Sequence, residues 1–285
     1  MKLQRFTNVA AFRDRAIPFL LEYEAEDNLI LGLSSALLED PHRYGPDDPY
    51  LATVEKDDSV VAVVLRTPPH NLLISRVNTH EVLPLIANEA QQFFGKIPGV
   101  NAMSETSKAF AELWQNMTGQ SFKVTMAQRV YKLEKVIPAR EVSGHIRRAE
   151  QKDRDLLVDW VIAFSKEAIG QDAERGRMER SVDLRLTHDT TFFNVWEDNG
   201  QVVSLVGSSG PTPNGIRIGP VYTPPEQRGK GYASACVAAF SQFLLDGGRK
   251  FVFLYTDLSN PTSNRIYQNI GYNAVCDTDQ YEFSE

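Results

Sequence analysis

The chain has 285 residues, of which 42% are apolar and 24% charged, and its formal net charge is −7. This length allows two domains of ordinary size, and an acidic chain with dispersed Lys and Arg argues against a nucleic-acid-binding role. No apolar run approaches the roughly 18 residues of a membrane helix, and the N-terminus lacks the apolar core of a signal peptide. The only cysteines, Cys236 and Cys276, form neither a disulfide framework nor a metal-ligand spacing. We therefore expect a soluble, cytoplasmic protein without a metal, nucleic-acid or membrane partner.

The first half of the chain alternates between helical and strand-like periodicity. A helical stretch at 12–38 is followed by short apolar runs of period two, and the turns between those runs are rich in Asp, Asn and Pro. The predicted elements after this stretch are strands at 51–54, 60–65 and 72–74, a helix at 81–94, a strand at 99–103, a helix at 108–117 and a strand at 122–133.

The second half repeats this order of elements. Its predicted helices lie at 152–167, 175–186, 233–245 and 263–269, and its strands at 192–196, 202–206, 216–222, 251–255 and from 274 onward. Because both halves contain two helices, a meander, a helix, a strand, a helix and a strand, we predict two copies of one α/β (α+β) fold. A linker-like segment near 138–143 places the domain boundaries at 1–138 and 143–285.

The segment 219–233, with the sequence GPVYTPPEQRGKGYA, is the strongest functional signal in the chain. A β-branched strand stops at two prolines, a loop with Gly229 and Gly231 follows, and a helix begins. A glycine-rich turn at a helix N-terminus directs several backbone N–H groups to one point, and with the helix dipole it suits a pyrophosphate. The corresponding segment of the first half, 75–80, has no glycine. We therefore expect only the second half to bind a phosphate ligand.

Two nucleotide-binding motifs do not fit this loop. A P-loop requires Ser or Thr after Gly-Lys and a glycine five residues before it, whereas here Gly231 follows Lys230 and Pro224 occupies the earlier position. A dinucleotide fingerprint requires a third glycine, where this chain has Ser234, and a βαβ unit rather than a meander. An isolated Gly-x-Gly also fits a flexible loop at the start of a helix.

Two motifs together resemble the GCN5-related N-acetyltransferase (GNAT) family. Segment 228–233 resembles the signature Arg/Gln-x-x-Gly-x-Gly/Ala of the family, and it follows a strand in the expected order. Further on, the strand 251–256 leads to Asn260-Pro261, then Tyr267, then Gly271-Tyr272, which resembles the second motif of the family. The resemblance covers roughly 146–283, and the first half is similar to a degenerate copy, as in tandem members. It implies two tandem acyl-CoA N-acyltransferase folds, each a mixed, mostly antiparallel twisted sheet flanked by helices.

The resemblance also implies acetyl-coenzyme A as cofactor, bound where the fourth and fifth strands of the second copy diverge. Strand residues whose backbone would pair with the pantetheine amides are Val221, Tyr222 and Thr223. Loop residues that would hold the pyrophosphate are Arg228, Gly229, Lys230, Gly231, Tyr232 and Ala233. Arg228 and Lys230 add positive charge there, and they fit solvated loop cations nearly as well.

Residues after the fifth strand complete the implied site. Asn260 would contact the pantetheine arm, and Ser263 and Asn264 would face the cofactor, although Asn260 also fits a helix N-cap and the other two fit a polar surface. Tyr267 shares their helix face and, by the resemblance, would donate a proton to the leaving thiolate; the alternative is an aromatic ring that packs the helix onto the sheet. Candidates for a general base are Glu226, Asp257, Glu167 and His188, and each equally fits a surface charge.

The predicted function is transfer of an acetyl group from acetyl-coenzyme A to a primary amine of an unidentified small-molecule or peptide acceptor. A non-catalytic acyl-coenzyme A-binding or regulatory module is the alternative from a different class, because no base can be assigned. A transferase for hydroxyl acceptors or for longer acyl chains is a third interpretation.

Overall fold

The computed structural model describes residues 1–170 and 172–285. The first 133 residues contain four helices and six strands. The helices are α1 (Val9–Leu21), α2 (Asn28–Glu39), α3 (Leu83–Phe94) and α4 (Ser104–Thr118). The strands are β1 (Lys2–Phe6), β2 (Tyr50–Lys56), β3 (Ser59–Arg66), β4 (Leu72–Ile74), β5 (Gly99–Met103) and β6 (Ser121–Leu133).

The remaining residues repeat this order with four helices and six strands among the described residues. The helices are α5 (Arg154–Phe164), α6 (Arg175–Thr187), α7 (Tyr232–Asp246) and α8 (Pro261–Ile270). The strands are β7 (His145–Arg148), β8 (Phe193–Asp198), β9 (Gln201–Ser209), β10 (Gly215–Tyr222), β11 (Phe251–Asp257) and β12 (Asn273–Ser284). One turn of π-helix, Ser165–Ile169, extends α5.

The chain forms two compact units, and one of them is made of two separate segments of the sequence. Unit 1 comprises Met1–Val130 and Val275–Glu285, and unit 2 comprises Tyr131–Ala274. The sequence pattern placed the domains at 1–138 and 143–285. In the structure, segment 131–138 belongs to unit 2 and segment 275–285 belongs to unit 1. The physical reason is strand pairing, since β12 pairs antiparallel with β5 and Arg129 of β6 bonds Asp277 of β12 through two short hydrogen bonds of 2.7 and 2.8 Å.

Each unit has a mixed sheet with helices on both faces. In unit 1 the strand order is β1-β2-β3-β4-β5-β12-β6, and β4 and β5 are parallel. In unit 2 the order is β6-β11-β10-β9-β8-β7, where β6 contributes only its last residues, and β10 and β11 are parallel. Separate apolar clusters lie on the two faces of each sheet, with α1 and α2 in one, α3 and α4 in the next, α5 and α6 in the third, and α7 and α8 in the fourth.

Two short strands, β1 and β7, are not predicted by the sequence pattern. Both are edge strands of their sheets, and each contains mostly polar residues (KLQRF and HIRR) that are exposed or half-buried. An edge strand has only one neighbour and needs few apolar side chains, so the alternation that marks inner strands is missing. Their absence from the prediction does not move the candidate site. No helix among the described residues is long and apolar enough to cross a membrane.

Candidate functional site

The site begins where two parallel strands of unit 2 separate. β10 and β11 pair through three residue pairs, from Gly215↔Phe251 to Arg217↔Phe253. On its other edge, β10 continues to pair with β9 as far as Tyr222↔Leu205, with a bulge between Ile218 and Val221. The edge of β10 that faces β11 therefore has no strand partner among the described residues beyond Arg217. An exposed strand edge of this kind can accept an extended ligand through main-chain hydrogen bonds.

The loop after β10 requires glycine at two positions. Gly229 has φ of 75° and Gly231 has φ of 91°, a region that side chains with Cβ rarely adopt. Gly231 is also the N-cap of α7, and a Cβ there would lie 2.9 Å from Val142 Cγ1. The two glycines that the sequence analysis selected are thus required by backbone geometry, and Gly231 is required by packing as well.

The N–H groups of residues 229–234 donate to no protein acceptor in the part of the chain that the structure describes. The first helical bond of α7 runs from Ala235 N–H to Gly231 O at 3.0 Å, and no side chain caps the helix. Arg228 N–H, by contrast, is already bonded to Pro225 O at 3.2 Å, so it is not part of this free row. A row of free N–H groups at the positive end of a 15-residue helix is an anion-binding arrangement.

The Arg228 side chain connects the loop to the end of α5. Its Nε donates to Thr223 O at 2.8 Å and its Nη2 donates to Glu167 Oε2 at 2.6 Å. Glu167 Oε1 accepts a further bond of 3.0 Å from the Tyr222 hydroxyl. The bond from Arg228 lowers the pKa of Glu167, whereas burial, followed by the bond to Glu167, raises the pKa of Tyr222. Glu167 is therefore a stable carboxylate beside the loop.

Two other loop side chains point away from the free N–H groups. Lys230 Nζ donates to Gln227 Oε1 at 2.8 Å and stays exposed. Tyr232 is buried, and its hydroxyl donates to Asp198 Oδ2 at 2.7 Å, next to the β8–β9 turn. Tyr232 and its neighbour Ala233 can thus contribute only backbone N–H groups to a ligand.

The N-terminus of α8 is held by its own polar side chains. Asn260 Oδ1 caps the helix by accepting from Ser263 N–H at 3.0 Å. Asn264 Nδ2 donates to Asp257 O at 2.9 Å and to Asn260 O at 2.7 Å, and Asn264 Oδ1 accepts from the Tyr131 hydroxyl at 3.0 Å. The hydrogen bond from Ser263 N–H supports the interpretation of Asn260 as a helix N-cap. The polar groups of Asn264 all bond to other groups of the protein.

Tyr267 lies one turn further along α8 and is 9% exposed. Its ring centroid lies 6.4 Å from that of Tyr131 and 5.9 Å from that of Tyr272. Burial raises the pKa of Tyr267 to about 12, and its hydroxyl bonds to no described residue. The result is a buried, neutral phenol on α8 whose hydroxyl donates to no described acceptor.

The four candidate bases differ in what their side chains contact. Glu167 is committed to Arg228 and Tyr222, while Asp257 Oδ1 accepts two 2.7 Å bonds from Ser259. His188 Nδ1 accepts backbone N–H groups of the turn after α6, and Glu226 is exposed. These contacts single out none of the four as a base at the gap, so no base is assigned.

The sequence analysis missed Tyr131. This residue is fully buried and contacts both Asn264 and Tyr267, yet it lies on β6, which the sequence order assigns to the first copy. Its long strand, which continues past the expected end of a domain, is the only local signal that could have drawn attention to it.

A family model for part of the chain agrees with this geometry. Residues 155–272 match the model described as the acetyltransferase (GNAT) family, and the matched segment lies within unit 2. The match covers less than half of the chain, and over those residues the chain is similar to GNAT acetyltransferases. A search of curated proteins finds no match.

Several solved structures share the fold over almost the whole chain. A protein from Drosophila aligns with a TM-score of 0.70 at 12% identity, covering 99% of this chain and 98% of its own. A GCN5-related N-acetyltransferase from Sphaerobacter thermophilus aligns with a TM-score of 0.62 at 18% identity, covering 99% and 95%. A tandem GNAT protein from the clavulanic acid biosynthesis pathway, solved without acetyl-coenzyme A, aligns with a TM-score of 0.58 at 11% identity, covering 100% and 98%. The fold is thus that of a tandem GNAT protein.

Proposed function

We propose that the protein transfers an acetyl group from acetyl-coenzyme A to a primary amine, and that unit 2 carries the reaction. The observation that supports this most strongly is the row of free N–H groups at 229–234 beside the unpaired edge of β10. One feature suits a pyrophosphate and the other an extended chain of amides, and coenzyme A contains both. The cofactor supplies an activated acyl thioester.

The residues present fit coenzyme A in three places. N–H groups from Gly229 to Ala233 would hold the pyrophosphate, and the two glycines allow the backbone to approach it closely. Main-chain groups of 221–223 would pair with the pantetheine amides. The Arg228 guanidinium, 2.6 Å from Glu167, lies close enough to the loop to exchange a carboxylate partner for a phosphate.

Tyr267 is proposed as the proton donor to the departing thiolate. A phenol with a pKa of about 12 stays protonated at neutral pH, and its hydroxyl has no competing acceptor among the described residues. Burial also raises the pKa of a thiol in this unit, Cys236, to about 12. Dry surroundings make a thiolate a stronger base than it is in water, which favours proton transfer from Tyr267.

The acceptor amine must lose a proton before it attacks the carbonyl. Glu167 accepts a bond from the Tyr222 hydroxyl at the end of β10, but its lowered pKa makes it a weak base and a better partner for a cation. We therefore propose that the amine reacts from its neutral fraction or loses its proton through water, which predicts a rate that rises toward alkaline pH.

The first test is calorimetric titration of the full chain with coenzyme A, followed by an assay of thiol release with a panel of primary amines. Saturable binding with amine-dependent thiol release is the expected result. Binding without release under any amine would favour the non-catalytic acyl-coenzyme A module. Absence of binding at millimolar coenzyme A would remove the proposal altogether.

The Tyr267→Phe variant tests the proton donor. We expect turnover to fall roughly 100-fold, a typical loss for general acid catalysis, with coenzyme A affinity nearly unchanged. Tyr272→Phe is the matched control, because Tyr272 is also buried on this face and its hydroxyl is bonded to Ser241 at 2.8 Å. That control should lower the melting temperature and leave turnover unchanged; equal turnover in wild type and Tyr267→Phe would exclude the acid role.

A further inference from the structure

A short segment of unit 2, residues 131–137, bonds to both ends of α8. In the first half of the helix, Asn264 Oδ1 accepts a hydrogen bond of 3.0 Å from the Tyr131 hydroxyl. At its last residue, Ile270 O accepts a hydrogen bond of 2.7 Å from Ile137 N–H. We call residues 131–137 the brace, because these two bonds attach α8 to one continuous piece of chain.

The helix α8 has few contacts of its own with the core. It contains ten residues, and among them only Tyr267 and Ile270 are buried. Helices shorter than about 12 residues are marginal in isolation, so tertiary contacts decide where such a helix lies. The position of the Tyr267 side chain therefore depends on the few groups that bond to α8 or pack against it.

The amide of Asn264 joins Tyr131 to the first turn of α8. Its Nδ2 donates to Asp257 O at 2.9 Å and to Asn260 O at 2.7 Å. This orientation leaves Oδ1 as the acceptor for the Tyr131 hydroxyl. Asp257 is the last residue of β11, and Asn260 is the N-cap of α8. The Tyr131 hydroxyl thus completes a chain of hydrogen bonds that links β6, α8 and β11.

The brace also packs against α8 through apolar groups. The Tyr131 ring centroid lies 6.4 Å from that of Tyr267, with 52° between the ring planes. Tyr131 and Leu133 are both fully buried. A Cβ on Gly271, which ends α8, would lie 3.3 Å from Leu133 Cδ1 and 2.7 Å from Lys135 O. Close packing therefore extends from the ring of Tyr267 to the end of the helix.

We propose that Tyr131 is a positioning residue for the acetyl transfer, because its hydroxyl holds α8 and so fixes the Tyr267 phenol at the departing thiolate. This inference rests on the proposed function, in which Tyr267 is the proton donor. Tyr131 acts through Asn264 and the helix rather than on the reacting atoms. Misplacement of a reacting group by about 1 Å can lower a rate roughly 100-fold, so a hydroxyl that holds the helix affects turnover.

The Tyr131→Phe variant removes the hydroxyl and keeps the ring. We expect kcat for thiol release to fall roughly three- to ten-fold, as for the loss of one hydrogen bond, with KM for acetyl-coenzyme A nearly unchanged. Tyr272→Phe is the matched control, because Tyr272 is buried beside the Tyr267 ring but its hydroxyl bonds to Ser241 on α7. Unchanged kcat in Tyr131→Phe, or an equal loss in Tyr272→Phe, would overturn the proposal.

A double-mutant cycle separates the positioning role from a general loss of stability. If Tyr131 acts through Tyr267, its hydroxyl has nothing left to position once the phenol of Tyr267 is removed. We therefore expect kcat of the Tyr131→Phe/Tyr267→Phe variant to lie within about two-fold of that of Tyr267→Phe. Two losses that multiply would show that Tyr131 acts independently of Tyr267, which refutes the assignment.

Amide hydrogen exchange, followed by mass spectrometry, tests the brace without any turnover. In Tyr131→Phe, peptides from α8 should exchange at least about three-fold faster than in wild type, while peptides from α7 should exchange at the same rate. Wild type without thiol release for any amine would remove the proposed function and the catalytic role of Tyr131 with it, whereas faster exchange in α8 would still establish the brace. Unchanged exchange in α8 would overturn the brace itself.

Discussion

The two units place a carboxylate at the same point of the same fold and give it opposite properties. Asp27 and Glu167 both lie between the first two helices of their unit. Asp27 is buried and forms no salt bridge with a described residue, and burial raises its pKa to about 7. The Glu167 side chain is 44% exposed and paired with Arg228, which lowers its pKa. The two pKa values differ in their main cause, since burial dominates at Asp27 and the side-chain bond from Arg228 dominates at Glu167.

A second contrast concerns the helix after the next parallel strand. Tyr267 is the seventh residue of α8, and Phe110 is the seventh residue of α4. Phe110 is fully buried in the unit 1 core and has no proton to donate. Unit 1 thus lacks both the glycine loop and a counterpart of the proposed acid at this helix position.

Gly231→Ala should have the largest effect on the difference between the units, because it removes the proposed anion site of unit 2. A Cβ at φ of 91° and 2.9 Å from Val142 Cγ1 forces the loop to shift, so the N–H groups no longer converge. We expect coenzyme A affinity to fall at least about ten-fold in calorimetric titration.

The matched control for this prediction is Gly95→Ala in unit 1. Gly95 ends α3 with φ of 69°, and a Cβ there meets nothing within 4 Å. This variant carries a comparable backbone strain of roughly 1 kcal/mol without touching the loop, so it should lower stability and leave coenzyme A affinity unchanged. Equal losses of affinity in both variants would mean that strain alone, rather than the loop, governs binding.

Asp27→Asn should remove the pH dependence of stability that the buried Asp27 contributes. Burial raises the pKa of Asp27 from an ordinary value of 3.8 to about 7, so the folded state retains its proton to higher pH. Wild type therefore loses stability as pH rises from about 4 to about 7, by as much as about 4 kcal/mol, and the loss is complete above pH 7. Urea unfolding at about pH 4.5 and about pH 8 should show the variant gaining on wild type at the higher pH. A constant difference between the two proteins would contradict a raised pKa.

Glu167→Gln should have the smallest effect on coenzyme A affinity, and it should raise this affinity, whereas Gly231→Ala lowers it. Its ion pair with Arg228 is half-exposed, so stability should change little. Release of Arg228 toward the phosphates should tighten coenzyme A binding roughly two- to three-fold. The control is Glu226→Gln, because Glu226 is an exposed carboxylate on the same loop as Arg228. Weaker binding in Glu167→Gln would show instead that the pair holds Arg228 in its binding position.

The parts of the fold that depend on local sequence were predictable. Turn residues marked the hairpins, and Gly229 and Gly231 marked a loop whose positive φ angles the structure confirms. The choice of strand partner was not predictable. The hydrophobic pattern of a strand indicates whether one or both of its faces are buried, but it does not indicate which strand lies beside it. The exchange of 131–133 and 275–285 between the units follows from that choice.

The same limit applies to the candidate site. Asn260 and Tyr267 follow from a local motif, so their helix and shared face could be predicted. The Tyr131 contact to Asn264 joins residues 133 positions apart and depends on where β6 ends. Likewise, the unpaired oxygen of Asp27 results from packing between distant segments, and no sequence pattern reveals it.

The position of β12 has a consequence for synthesis on the ribosome. This strand lies in the middle of the unit 1 sheet, between β5 and β6, although it follows every residue of unit 2 in the chain. Unit 2 is a contiguous segment and can close as soon as Ala274 has emerged. Unit 1, which is translated first, must wait with an open sheet for 275–285. The order of folding is therefore expected to be the reverse of the order of translation, and the emergence of 275–285 becomes the step that closes the unit 1 sheet.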